Sequence, residues 1–95
     1  MADANDVRNT LQREFDGLAR ARDELRVRMH LAKADALGEW KRLEQAWQRA
    51  QEEIKRTGEH TKEPVKDAGA AARRLLDELK RGYGRIRDQL KEAQD

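Results

Sequence analysis

Apolar residues recur along this chain at steps of three and four, separated by charged and polar residues that favour helix. The clearest run is Leu25, Met29, Ala32, Ala36, Trp40, Leu43, Trp47, Ala50 and Ile54, one face of an α-helix that carries both tryptophans. Val7, Leu11, Phe15, Leu18 and Arg22 extend the same stripe toward the N-terminus. After Pro64, a second stripe runs through Val65, Ala68, Ala72, Leu76, Leu79, Tyr83, Ile86 and Leu90. Its spacing suits it to cover the first.

The punctuation predicts where the helices end. Asp3 and Asp6 suit the positive N-terminal end of a helix. Lys55 and Arg56 suit its negative end, and Gly58 follows as a C-terminal cap. Thr61 is placed to cap a second helix, and Pro64 fits its first turn, where no N–H is needed. The steps at Leu11–Phe15 and Ala32–Ala36–Trp40 depart from a strict heptad and predict local unwinding. Gly17 and Gly38 weaken a helix by about 1 kcal/mol each relative to Ala, but neither sits in a polar turn cluster. The reading is all-α: a bent helix over 3–57, a turn at 58–61 and a helix over 62–93. Together they form an antiparallel helical hairpin of coiled-coil type, with one helix kinked at Pro64 as the alternative.

Folding the hairpin back pairs residues whose numbers add to about 119. Ile54 then meets Val65, Ala50 meets Gly69, Trp47 meets Ala72, Leu43 meets Leu76, Trp40 meets Leu79, and Ala36 meets Tyr83. At 1.5 Å per residue the first helix would be about 82 Å long and the second about 46 Å. Val7, Leu11, Phe15, Leu18 and Leu25 would then project without cover from their own chain. Burying them between chains predicts a homo-oligomer, a two-fold dimer ahead of a tetramer, with four-helix-bundle character where protomers overlap.

Composition changes this picture little. The chain has 95 residues, 42% charged and 37% hydrophobic, which by itself sits between disorder and long helix, and the sustained periodicity favours helix. Lys and Arg number 21 against 19 Asp and Glu, with signs alternating along the chain, and that argues against a nucleic-acid binder. The strongest local excess is Arg73, Arg74, Lys80, Arg81, Arg85, Arg87 and Lys91, a face able to touch an anionic membrane. Cysteine is absent, so disulfide and thiolate chemistry are excluded. The acidic, polar N-terminal segment does not read as a secretory signal, and a cytoplasmic protein is expected.

Candidate chemistry is sparse. His30 and His60 are the only histidines and lack the i, i+4 partner that a helical zinc site requires. Glu24–Arg28, Glu52–Arg56 and Asp77–Arg81 are i, i+4 pairs suited to surface support. Trp40 and Trp47 could stack on a ligand or base, but their place on the stripe assigns them to the seam. No catalytic, cofactor-binding or metal-ligating residue is expected, and no small-molecule substrate. The expected function is non-enzymatic: a self-associating coiled-coil protein acting in protein–protein interaction or scaffolding. The alternative is an amphipathic-helix binder of anionic surfaces.

Overall fold

The computed structural model describes the backbone of residues 4–57 and 65–94, and the side chains of 6–57 and 69–92. Three helices account for it: α1 Ala4–Arg28, α2 Ala34–Thr57 and α3 Val65–Gln94, with a 3₁₀ turn at Met29–Leu31 between the first two. No strand occurs among the described residues. The helices run up, down and up. The most extensive interface joins α2 to α3, and α1 lies against both.

One expectation is overturned here. The stretch 3–57 is two helices with a reversal between them, and the longest dimension of the molecule is 50 Å, far short of a straight helix of about 82 Å. The reversal is made at Ala32, which has extended backbone (φ −78°, ψ 144°) and donates its N–H to the Met29 carbonyl at 3.0 Å. Leu37 N–H donates to the Lys33 carbonyl at 3.0 Å and opens α2. Energetics explain the reversal. Breaking a helix costs a few backbone hydrogen bonds at about 1 kcal/mol each. Folding back buries several large side chains at roughly 2 kcal/mol each and spares the cost of bringing in a second chain.

The five residues expected to project are accordingly covered by their own chain. Leu11, Phe15 and Leu25 are 2%, 5% and 4% exposed, and Val7 and Leu18 pack partly buried against the same core. The premise of the interchain cover, and of the four-helix arrangement built on it, therefore falls away.

The hairpin of α2 and α3 is present, shifted by about one helical turn from the expected register. Trp40 meets Tyr83 with ring centroids 5.9 Å apart, and Arg85 Nε donates to Glu39 Oε1 at 2.7 Å. Leu43 lies against Gly82 so closely that a Cβ there would be 2.8 Å from its Cδ1 and 3.0 Å from its Cγ. These pairs add to about 124 in residue number, where about 119 was expected from a four-residue turn. A large residue facing glycine fixes the close approach. The expected turn at 58–61, with its caps Gly58 and Thr61, lies outside the described residues, as do Asp3, His60 and Pro64.

Candidate interaction surface

The residues assigned to the seam assemble as one core. Leu43, Trp47, Ala50, Ile54, Ala72, Leu76, Leu79 and Tyr83 are buried in a single cluster, with Trp40 packed against it. The side chain of Val65 is outside the described residues. Trp47 is not free to stack on a ligand, because Phe15 of α1 already lies on it, 3.9 Å between centroids at 25°.

Beside that stack sits a bidentate ion pair between α1 and α2. Arg22 of α1 grips Glu44 of α2 with two bonds, Nε to Oε1 at 2.8 Å and Nη2 to Oε2 at 2.7 Å, and its Cζ lies 5.0 Å from the Trp47 ring centre. The carboxylate bond holds the Arg22 guanidinium above its usual pKa. Tyr83 of α3 reaches into the interior, where its hydroxyl is buried without a hydrogen-bond partner. Burial, then the Glu44 charge, pushes the phenol well above the ordinary tyrosine range, with Arg22 opposing in part. These groups join all three helices. Arg22 and Glu44 clamp α1 to α2 beside Trp47.

The surface pairs take other partners than spacing suggested: Arg56 Nη1 donates to Glu53 Oε1 at 3.4 Å, and Arg81 Nε to the Asp77 backbone carbonyl at 3.4 Å. His30 Nδ1 lies 2.9 Å from the Val27 carbonyl, to which the ring donates. Among the described residues, no group of three or more His, Cys, Asp or Glu is placed to hold a metal. No helix there is long and apolar enough to cross a membrane. The basic C-terminal face is partly consumed within the fold, since Arg73 pairs with Glu14 and Arg85 with Glu39.

What sequence reasoning missed is the corner between α1 and α2. Val27, Leu31 and Leu37 are 71%, 43% and 42% exposed, the large apolar side chains left in solvent among the described residues. All three lie within eleven residues of sequence that wrap one end of the bundle. They lie off the buried stripe of Leu25, Met29 and Ala36. That displacement was the available signal. The segment Leu25–Ala34 is also the longest stretch without an acidic residue, and it carries Arg26, Arg28 and Lys33. A cleft of about 220 Å³ adjoins the corner, lined by Ala32, Lys33, Ala36 and Leu90 among others, smaller than the roughly 300–1,000 Å³ of small-molecule pockets. The corner thus offers apolar contact area with Arg26, Arg28 and Lys33 in its sequence and Asp35 and Glu92 lining the adjoining cleft. Compared with family models, curated proteins and solved structures, the chain gives no significant match.

Proposed function

We propose that this chain is a non-enzymatic helical interaction module that associates with itself and with a partner protein in a scaffolding role. A cytoplasmic setting belongs to the same reading. The observation that carries it is the corner, where Val27, Leu31 and Leu37 stand in solvent while the large apolar residues of the stripes are buried or partly buried. Exposed apolar residues gathered at one place, rimmed by polar groups, are the ordinary mark of a protein contact. The geometry offers a partner helix an apolar ridge, and Arg26, Arg28 and Lys33 favour an acidic flank on that partner.

The test compares proteins captured from the native lysate by wild type and by Val27→Asp, Leu31→Asp. Both positions are exposed, so melting should change by no more than about 0.5 kcal/mol per site. Loss of a captured partner at unchanged stability supports the corner. Identical captured sets would remove it as the contact surface. A second reading, docking on an anionic bilayer, is favoured by the acid-free basic run Leu25–Ala34 beside the same apolar residues.

A further inference from the structure

We infer that α1 is an exchangeable arm: the groove between α2 and α3 accepts the α1 of a second copy, producing an intertwined dimer. The inference rests on the self-associating reading above and specifies its route. Its basis is the chemistry of the corner. A helix that ends for good usually carries a glycine, a proline or a capping side chain. Met29-His30-Leu31-Ala32-Lys33 contains neither glycine nor proline, and its side-chain cap is the exposed His30 ring, which donates to the Val27 carbonyl at 2.9 Å. No described residue has positive φ, and Arg28 keeps near-helical angles (φ −90°, ψ −6°). The apolar stripe also continues across the reversal through Leu25, Met29, Ala32 and Ala36. One exposed bond of this kind is worth about 1 kcal/mol and does not by itself forbid a continuous helix there. The reversal is held by what α1 packs against.

Those contacts do not depend on which chain supplies α1. Phe15 on Trp47, Arg22 on Glu44, Glu14 on Arg73 and Val7 beside Gly69 all join α1 to α2 or α3. A second copy re-forms each of them unchanged. The pairs Phe15–Trp47 and Arg22–Glu44 are symmetric about residue 32 to within one position, so the two-fold axis of the exchanged dimer passes close to Ala32. Its small side chain suits two helices crossing there. Exchange adds helical hydrogen bonds through the corner, while the closed chain has the advantage of an attached arm. Dilution favours the closed form and concentration the dimer. In the continuous helix Val27 and Leu31, four apart, share a face away from the buried stripe, so each dimer displays two such ridges. Two ridges on one particle are what a scaffold requires.

The chain has no cysteine, so an introduced pair reports cleanly. A Cβ at Gly69 would be 3.4 Å from Val7 Cγ1, a separation suited to a disulfide in Val7→Cys, Gly69→Cys. The protein is refolded at high concentration, measured by light scattering, oxidised and run on a non-reducing denaturing gel. A dimer in solution that becomes a covalent dimer on the gel is the expected result, with monomer recovered when dilution precedes oxidation. A dimer in solution that runs as an internally bridged monomer would overturn exchange and leave self-association standing. A monomer at every concentration would overturn both. Lys33→Pro supplies a second reading without cysteines, because it fits the extended Ala32 and opposes a continuous helix. It should shift the protein to monomer with its helices retained, and a dimer unaffected by it would overturn exchange.

Discussion

Phe15 and Trp47 stack face to face across the α1–α2 interface, and the Arg22 guanidinium lies over the same indole. This contact ties the arm to the hairpin. Removing the Phe15 ring leaves a cavity beside Trp47, so Phe15→Ala should cost about 3–5 kcal/mol. Against a total of about 5–15 kcal/mol for ordinary domains, that is a large drop in melting temperature by circular dichroism. A loss below about 1 kcal/mol would mean that α1 does not close on α2 in solution.

Tyr83 is the chain's single tyrosine, and its buried hydroxyl has no partner. Its folded pKa is raised, first by burial and then by Glu44. The unfolded chain releases the proton near pH 10, while the folded chain holds it. Stability is therefore fully present below about pH 10 and falls above it, by about 1.4 kcal/mol per pH unit until the folded phenol also ionises. Tyr83→Phe should remove that slope and, by deleting an unsatisfied donor, leave neutral-pH stability equal or about 1 kcal/mol higher. Urea midpoints from pH 8 to 11 for both proteins provide the check, and parallel profiles would place the hydroxyl in water or on a partner.

Much of this architecture was legible because helix faces are written in spacing. The stripes through Leu43, Trp47, Leu76 and Leu79 identify buried faces whichever way the helices are connected. The reversal at Ala32 was not legible, since its residues are ordinary helix formers and tertiary burial overrides them. Only the uncovered Leu11, Phe15 and Leu25 hinted at it, and they were open to cover by another chain as readily as by their own. Register was missed for a different reason. It depends on how many residues the α2–α3 connection uses and on the close approach at Gly82, and neither leaves a periodic trace. The corner ridge was legible only as the displacement of Val27, Leu31 and Leu37 from the buried stripe, a weaker mark than a long stripe of their own.

The basic run at the corner makes a separate prediction for lipid. Arg26, Arg28 and Lys33 would each contribute about 1 kcal/mol near an anionic surface and little at high salt. Wild type should co-sediment with phosphatidylserine vesicles at low ionic strength and be released as salt is raised. Arg26→Glu, Arg28→Glu should abolish the binding while melting normally. Equal binding by that variant would move any lipid contact to the C-terminal face, around Arg74, Lys80 and Arg87.

Gly82 and Gly84 sit one residue to either side of Tyr83 on α3, yet their surroundings are opposite. A Cβ at Gly82 meets the buried Leu43 side chain, with Cδ1 at 2.8 Å and Cγ at 3.0 Å, whereas a Cβ at Gly84 meets nothing within 4 Å. Alanine is preferred over glycine in a helix by roughly 0.5–1 kcal/mol, and that gain is available at both positions. At Gly82 it is outweighed, because Leu43 is 2% exposed and must shift within a packed core, at about 1–3 kcal/mol. Gly84→Ala should therefore raise the melting temperature and Gly82→Ala should lower it. The sign difference is specific to the observed register, since the expected one placed Leu43 against Leu76 and set Gly82 and Gly84 opposite Leu37 and Asp35. Two alanine variants that stabilise equally would reject the Leu43–Gly82 contact and return the hairpin to a register nearer the one its stripes suggested.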